Sequence, residues 1–171
     1  MDGAADFAMP GMALPAITLP ATDGTTICLA RLGGRSVIAV YPWTGRPGRP
    51  NPPNWDDIPG AHGSTPELEG FRDLVTRFAE RDTRLFGLSL QSTAYQRELV
   101  ERLRLPFPIL SDREAAFAAA LALPSFATGG ETYLKRLTLA VREGVIERVF
   151  FPVMDPAGHP GEVLRWLETL R

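Results

Sequence analysis

The feature that most constrains the fold of this 171-residue chain is a short apolar run followed by a long stretch that suits neither helix nor strand. The run, Ser36–Tyr41, is rich in apolar and β-branched residues and is stopped by Pro42, a pattern typical of a strand buried on both faces of a sheet. The stretch from Trp43 to Gly63 is dense in proline and glycine, which predicts a long structured loop. Loops of that length in compact domains are usually functional.

A helix is predicted directly after this loop, over residues 64–81. Apolar residues recur there at helical spacing, and the charged residues fall on the other faces. Ser64, followed three residues later by Glu67, fits a capping box, and Pro66 is tolerated in the first turn. The sequence therefore predicts that the Ser64 hydroxyl caps this helix, a role that serine plays with or without chemistry.

The rest of the chain alternates between predicted strands and helices. An amino-terminal hairpin turns at Asp23-Gly24, and a second hairpin turns at Glu143-Gly144. The predicted strands are 12–19, 25–29, 84–90, 106–110, 133–141 and 145–153, and the other predicted helices are 94–104, 114–121 and 162–170. This order predicts an α/β chain of one domain, residues 1–171, with a thioredoxin-like fold in which helices flank a central mixed sheet.

Composition and charge exclude several functional classes. Hydrophobic residues make up 44% of the chain and charged residues 22%, which is ordinary for a globular protein. Because the formal net charge is -2, the composition implies no electrostatic attraction to nucleic acid. Residues 1–14 carry acidic residues but no lysine or arginine, unlike a secretory leader, and no apolar run approaches the length of a membrane span. We therefore expect a cytoplasmic protein with no nucleic-acid or membrane partner.

Cys28 is the only cysteine. It excludes an intramolecular disulfide, a dithiol redox pair and a metal site built from several cysteines. Its place in a predicted strand favours a small packed hydrophobe over a functional thiol.

Several polar and aromatic groups of the loop suggest other chemistry. His62 with Ser64 and Asp56 or Asp57 could form a hydrolytic nucleophile and base, although no nucleophile-elbow motif is present, and a loop histidine bonded to backbone is the plainer interpretation. A metal site from these groups and the distant His159 lacks ligand spacing, so no metal is predicted. The aromatic side chains of the loop and of the strand before it either line an apolar pocket or anchor the loop: Tyr41, Trp43 and Trp55.

Five segments spread over nearly the whole chain resemble the peroxiredoxins. They are Tyr41-Pro42, Gly63-Ser64-Thr65-Pro66-Glu67 leading into Gly70-Phe71-Arg72-Asp73, Phe86-Gly87-Leu88-Ser89, the run from Leu105 to Asp112, and the run from Lys135 to Leu139. The chain looks similar to the bacterial bacterioferritin-comigratory branch, with residues 45–61 inserted before the site. The resemblance implies a thioredoxin-like fold, a thiol-dependent peroxidase ancestry, no cofactor and a homodimer.

The resemblance also implies a site in which the nucleophile has changed. The position of the peroxidatic cysteine is Ser64, and Arg136 matches the family's site arginine. The position of a resolving cysteine is Glu69, and Pro42 and Thr44 match the proline and hydroxyl residue before the loop. Together with His62, the expected catalytic positions are Ser64, Thr44 and Arg136, and the expected substrate contacts are Pro42, Gly63, Thr65 and Glu67.

Serine cannot perform the sulfur chemistry of that family, since a hydroxyl is far less acidic than a thiol and cannot form a sulfenic acid. The serine is either an engineered substitution or the natural residue of a divergent branch, and Glu69 favours the second. Helix amides, the Ser64 hydroxyl and Arg136 are predicted to hold a small peroxide-like or carboxylate ligand.

Three functions remain open at this stage. The first is a peroxiredoxin-like protein without conventional peroxidase turnover that keeps a redox-related function through an unrecognised route or a partner thiol. The second is a non-redox binding or interaction module on the same fold. The third is a cofactor-free enzyme using Ser64, His62 and Arg136 for acid-base chemistry. A solvent-open, polar pocket around Ser64 and Arg136 favours the first or third, and a pocket filled by side chains favours the second.

Overall fold

A five-stranded mixed sheet forms the centre of the computed structural model, which describes residues 7–170. The strands are β1 (Thr18–Pro20), β2 (Thr26–Cys28), β3 (Arg35–Val40), β4 (Thr83–Ser89), β5 (Ile109–Ser111), β6 (Ser125–Thr128), β7 (Glu131–Leu134), β8 (Leu137–Arg142) and β9 (Val145–Phe150). The helices are α1 (Ser64–Asp73), α2 (Val75–Ala79), α3 (Thr93–Leu103), α4 (Ala116–Ala120) and α5 (His159–Glu168).

The strand order of the central sheet is β5-β4-β3-β8-β9. Strand β3 lies in the middle, parallel to β4 and antiparallel to β8, with Ile38 opposite both Phe86 and Leu139. Strand β5 extends the parallel half of the sheet and β9 extends the antiparallel half. The thioredoxin-like fold with a mixed central sheet, an amino-terminal hairpin (β1 and β2) and a long loop after the first core strand is thereby confirmed.

Both faces of β3 are buried, as the apolar run predicts. Ile38 and Val40 pack on the face that also receives α4 and residues of the amino-terminal segment, whereas Val37, Ala39 and Tyr41 pack on the face covered by α1, α2, α3 and α5. The sheet therefore lies between two apolar layers.

The single helix predicted over residues 64–81 is wrong. Leu74 interrupts it with φ -102° and ψ 3°, and its amide donates to the carbonyls of both Gly70 and Phe71. The break separates α1 from α2, and it allows Phe71 and Phe78, one from each helix, to pack 5.8 Å apart in the same core.

The single strand predicted over residues 133–141 is also wrong. The chain turns at Lys135 and Arg136, so that β7 pairs with β6 in a separate hairpin while β8 joins the central sheet. Two glycines with positive φ, Gly129 and Gly130, make the turn of this hairpin, because a tight turn requires a backbone conformation that other residues rarely adopt. Arg136 therefore sits at a corner between two sheets.

The proline-rich loop is anchored by this β6–β7 hairpin. Trp55, only 4% exposed, packs its indole against Trp43, Phe126 and Tyr133, with ring centroids 5.1 to 5.6 Å apart. The Thr128 hydroxyl donates to the carbonyl of Pro53 at 2.6 Å. The aromatic side chains thus fix the loop in place, and Trp43 and Trp55 face one of the clefts described below.

The other predicted elements differ mainly at their ends. Helix α5 begins three residues earlier than predicted, at His159, with Pro160 in its first turn. Strand β5 ends one residue later than predicted and begins only at Ile109. Within residues 7–170, every helix is too short or too polar to cross a lipid bilayer.

Candidate functional site

A cleft of about 320 Å³ opens where the loop after β3 meets the first turn of α1. It is lined by residues of the loop, of the start of α1 and of the end of α3: Trp43, Thr44, Gly45, Arg46, Pro47, Asn51, Trp55, Ala61, His62, Gly63, Ser64, Thr65, Pro66 and Arg102. We call it the Ser64 cleft. Parallel strands β3 and β4 end at this edge of the sheet, which is where open α/β sheets commonly bind ligands.

Ser64 is the first residue of α1, and the predicted capping box does not form. Gly63 is the residue before the helix, with φ +108°, and no side chain caps the first turn. Ser64 is 4% exposed, and its hydroxyl has no hydrogen-bond partner within the described residues. A buried hydroxyl without a partner costs free energy unless a ligand or water satisfies it, and Ser64 is one of the residues that line the cleft.

The backbone of this turn adds two donors. The amides of Ser64 and Thr65 make no hydrogen bond to another group among residues 7–170, as is usual for the first turn of a helix, whereas the Glu67 amide donates to the Gly63 carbonyl at 3.0 Å. Pro66 has no amide hydrogen, so the free donors are concentrated beside the Ser64 hydroxyl.

Gly63 is required at its position for two reasons. Its positive φ is a conformation that glycine adopts at little cost. A Cβ there would lie 2.6 Å from the Pro156 side chain. Close packing of the two residues therefore fixes the direction in which the chain enters α1.

Thr44 forms the opposite wall of the cleft. It is 1% exposed, and its hydroxyl lies 3.4 Å from the Gln91 side-chain oxygen. Its carbonyl accepts hydrogen bonds from the Tyr95 hydroxyl at 2.7 Å and from Gln91 Nε2 at 3.3 Å. These contacts hold the chain immediately after β3 rigidly against α3.

Arg136 and Glu67 form a buried ion pair that does not line the Ser64 cleft. Arg136 Nη1 lies 3.2 Å from Glu67 Oε1, and both side chains are almost completely inaccessible. Arg136 Nη2 donates to three loop carbonyls, those of Gly60, Ala61 and His62, at 3.0 to 3.3 Å. The guanidinium is thus engaged with Glu67 and the end of the loop, and the expected convergence of Arg136 on a ligand at Ser64 is absent from this arrangement.

Burial raises the pKa of Glu67 to about 7, although the charge and hydrogen bond of Arg136 oppose that rise. Glu67 Oε2 and Arg136 Nε have no hydrogen-bond partner among residues 7–170. Burial therefore favours the protonated form of Glu67, one turn from Ser64, more than it does in an exposed glutamate.

Two other arginines line the Ser64 cleft. Arg46, from the loop, places its guanidinium 3.9 Å from the centre of the Tyr95 ring, and its Nε lies 3.5 Å from Glu98. Arg102, from the end of α3, donates from Nε to Glu98 at 2.8 Å and from Nη2 to the Gly45 carbonyl at 2.9 Å. Among residues 7–170, the side chains that line the cleft include these two arginines and no aspartate or glutamate, so the lining carries positive charge.

His62 pairs with Asp56 rather than with Ser64. His62 Nε2 hydrogen-bonds to the Asp56 carboxylate, and both side chains are largely exposed. The Ser64 hydroxyl is not hydrogen-bonded to the imidazole, so of the Ser-His-Asp arrangement considered from the sequence only the His-Asp contact is present.

His159 is remote from the His62–Asp56 pair: it is 1% exposed, and its Nε2 lies 2.8 Å from the Thr138 hydroxyl. Within residues 7–170, no three potential metal-ligating side chains are grouped together.

A second, larger cleft of about 660 Å³ lies on the other side of His62. Its walls are mainly apolar, including Phe126, Phe151 and the 87% exposed Met154, and its charged groups have both signs. Lys135 and Arg136 provide the positive groups, and Asp56 and Asp57 provide the negative ones. This balance gives no preference for an anion, unlike the Ser64 cleft.

The structure brings together only part of the predicted site. Thr44, His62, Gly63, Ser64 and Thr65 line one cleft. The other predicted residues lie outside this cleft. Pro42 lines an adjoining cleft of about 230 Å³, and Glu67 and Arg136 form the buried ion pair. Glu69 lies on the partly exposed side of α1, 3.7 Å from Arg72. Cys28 ends β2, is half-buried and lines none of the three clefts.

Sequence reasoning missed Arg46, Arg102 and the packing partners of Trp55. Arg46 carries a local signal, since it follows Thr44 by two residues in the loop that precedes the site. The only sequence signal at Arg102 is its spacing of four residues from Glu98, which predicts an ion pair on a helix surface. Such pairs are common on solvent-facing helices, so this spacing does not indicate a binding site.

Comparison with known proteins agrees with this architecture. The model of the Redoxin family matches residues 9–162. The chain is 29% identical over 159 residues to a putative peroxiredoxin bcp of Coxiella burnetii, covering 90% of this chain and 95% of that protein. It is 28% identical over 165 residues to a putative chloroplastic peroxiredoxin Q of Oryza sativa subsp. indica, covering 94% of this chain and 67% of the relative.

Solved structures show the same fold. Peroxidoxin BcpB from Mycobacterium tuberculosis superimposes with a TM-score of 0.77 at 24% identity, covering 96% of this chain and 99% of that one. The bacterioferritin comigratory protein of Xanthomonas campestris superimposes with a TM-score of 0.74 at 25% identity, covering 94% and 98%. The fold and the relatives define a protein of the peroxiredoxin class with a thioredoxin-like core. The chain belongs to the Redoxin family, and it is similar to the peroxiredoxins named Q and bcp.

Proposed function

We propose that this protein is a peroxiredoxin-like protein without conventional thiol peroxidase turnover, whose Ser64 cleft binds a small peroxide-like or carboxylate ligand. The observation that carries the proposal is the Ser64 hydroxyl: it is buried, has no hydrogen-bond partner within residues 7–170, and opens α1 beside two free amides in an accessible cleft.

The missing sulfur supports the first half of the proposal. By the resemblance described above, Ser64 occupies the position of the peroxidatic cysteine. In the family's reaction a thiolate sulfur attacks one peroxide oxygen, the O–O bond breaks, the sulfur becomes a sulfenic acid, and water or an alcohol leaves. A serine hydroxyl has a much higher pKa than a thiol and has no sulfenic state, so the cycle has no first step at this residue.

The open cleft supports the second half. A pocket filled by side chains would favour an interaction module, but the Ser64 cleft has a volume of about 320 Å³ and its lining contains hydroxyl, amide and guanidinium donors. Donors of this kind, at a helix amino terminus, suit negatively polarised oxygen atoms.

Peroxide consumption with dithiothreitol as the reductant tests the proposal. We expect no turnover by the unmodified protein and the appearance of turnover in Ser64→Cys, because the introduced thiol lies at a helix amino terminus, which lowers the pKa of a thiol below its usual value of about 8.5. Turnover in the variant would show that the cleft admits peroxide and lacks only a nucleophile.

Cys28→Ser is the matched control, since it removes the only native thiol from a strand outside the cleft. It should leave the unmodified protein inactive and, combined with Ser64→Cys, leave the gained activity intact. Peroxidase activity of the unmodified protein that disappears in Cys28→Ser would overturn the proposal. A folded Ser64→Cys protein without turnover would contradict the peroxide-like pocket.

A further inference from the structure

Two arginines line the Ser64 cleft: Arg46 comes from the loop after β3, and Arg102 comes from the end of α3. We infer that Arg46 and Arg102, not Arg136, bind the carboxylate of a small ligand whose apolar part lies against Trp43. This inference rests on the proposed function and names the ligand class and the residues that select it.

The distribution of hydrogen-bond donors among the three arginines is the first argument. Arg136 has its terminal nitrogens bonded to Glu67 and to three backbone carbonyls. Its Nε has no partner among residues 7–170, but it is buried, and the whole side chain is 1% exposed and does not line the Ser64 cleft. Neither terminal nitrogen of Arg46 hydrogen-bonds to another side chain or carbonyl in the part of the chain that the structure describes. Arg102 uses Nε and Nη2, which leaves Nη1 without such a bond.

The charge balance of the cleft is the second argument. Glu98 is the carboxylate that contacts both Arg46 and Arg102, and it does not line the cleft. Two guanidinium groups beside one carboxylate leave one uncompensated positive charge at the wall of the cleft, where no other residue among 7–170 supplies a lining carboxylate. A ligand carboxylate restores neutrality and accepts hydrogen bonds from the planar fork of a guanidinium.

Preorganisation is the third argument. Stacking on the Tyr95 ring, at 3.9 Å, restrains the Arg46 guanidinium, and the bond from Arg102 to the Gly45 carbonyl ties α3 to the backbone next to Arg46. The two groups therefore hold nearly fixed positions before a ligand arrives, which lowers the entropic cost of binding.

The remaining walls define the rest of the ligand. The Trp43 and Trp55 rings lie 5.3 Å apart, and the unpartnered Ser64 hydroxyl and the Ser64 and Thr65 amides lie at the start of α1. A volume of about 320 Å³ is near the lower limit of small-molecule sites. The class that fits is a short monocarboxylate with a small apolar tail.

Calorimetric titration with propionate tests the inference, and propionamide serves as the uncharged isostere. We expect propionate to bind the unmodified protein and propionamide to bind at least about tenfold more weakly. Arg46→Gln and Arg102→Gln should each weaken propionate binding about threefold or more, and the double variant about tenfold or more. Arg97→Gln, which removes a charge from α3 outside the cleft, should leave the affinity unchanged.

Glu98→Gln provides a readout in the opposite direction. Removing the carboxylate that competes for both guanidiniums should tighten propionate binding about twofold or more, whereas a residue that merely supports the fold would weaken it when changed. Circular dichroism of each variant shows that it is folded.

The outcomes separate this inference from the proposed function. Propionate binding that is unchanged in the folded double variant, or weakened in folded Glu98→Gln, overturns the inference and leaves the ligand cleft in place. No propionate binding by the unmodified protein overturns both the inference and the carboxylate part of the proposed function, while the peroxide assay of Ser64→Cys still tests the peroxide part.

Discussion

Neutralising the buried carboxyl of Glu67 should change how stability depends on pH. The side chain is fully buried, and desolvation raises its pKa from 4.5 to about 7 despite the Arg136 guanidinium 3.2 Å away. Below pH 4.5 the carboxyl is protonated in both the folded and the unfolded chain. As the pH rises from 4.5 through 7, the unfolded chain releases its proton first, so the folded state loses stability over this window.

The size of that loss follows from the two pKa values. Each pKa unit corresponds to about 1.4 kcal/mol, so a rise from 4.5 to about 7 predicts a loss of roughly 3 kcal/mol in the free energy of unfolding between the acid and alkaline ends of the window. In Glu67→Gln the side chain cannot ionise, and this contribution disappears.

Urea unfolding of the protein and of Glu67→Gln across this pH range measures the effect. The difference between their unfolding free energies should change by roughly 3 kcal/mol, with the unmodified protein gaining relative to the variant as the pH falls. Glu69→Gln is the matched control, because Glu69 is on the same helix with its side chain 40% exposed, and it should leave the pH dependence unchanged. A difference that is constant with pH, or a carboxyl titration midpoint of Glu67 below 4.5 by NMR, would show that Arg136 outweighs desolvation and would refute the reasoning.

Two further predictions concern His159 and Gly63. Burial lowers the pKa of His159 below 6.5 in the folded chain, so the contribution of this histidine to stability should be complete above pH 6.5 and should be lost as the pH falls through the lowered pKa. Urea unfolding of the unmodified protein should show this loss of unfolding free energy. The same loss in His159→Gln would contradict the assignment to His159. Gly63→Ala should lower the free energy of unfolding by about 1–3 kcal/mol, measured by urea unfolding, because φ is +108° and the added Cβ would meet Pro156. Gly60→Ala, at φ +80° with open space around it, should cost less, and an equal cost would contradict the steric part of the argument.

The parts of the fold that the sequence predicts correctly depend on local patterns. Ser36–Tyr41 is apolar at every position but the first, and its short length, its β-branched residues and the flanking Gly34 and Pro42 favour a strand covered on both faces over a buried helix. Asp23-Gly24 and Glu143-Gly144 mark real hairpin turns, since glycine there supplies the positive φ that a tight turn needs.

The parts it predicts wrongly depend on tertiary contacts. The helical spacing of residues 64–81 does not reveal that Leu74 breaks the helix, because Phe71 and Phe78 are seven residues apart and share one face of a continuous helix as well as the core of the broken one. The strand pattern over 133–141 runs through Lys135 and Arg136, and only the pairing of β7 with β6 shows that the chain turns there.

The sequence predicts which backbone segments form the candidate site, but it does not predict which arginine side chains line the site. Ser64, Thr44 and Gly63 lie together because the strand, loop and helix order fixes where the chain enters α1. The direction of an arginine side chain depends on which partners it finds: Arg136 finds Glu67 and loop carbonyls, while Arg46 finds the Tyr95 ring. These partners lie far from the arginines in the sequence. Only the folded chain therefore shows that Arg46 and Arg102, rather than Arg136, line the Ser64 cleft.

The most direct test of the ligand cleft is an NMR titration of the unmodified protein with propionate, followed through the backbone amide signals. The account predicts saturable shifts that are largest for Ser64 and Thr65, because their amides lie free beside the unpartnered hydroxyl. Shifts centred instead on the larger cleft, at Phe126 or Lys135, or no saturable shift at all, would contradict the claim that the Ser64 cleft binds small carboxylates.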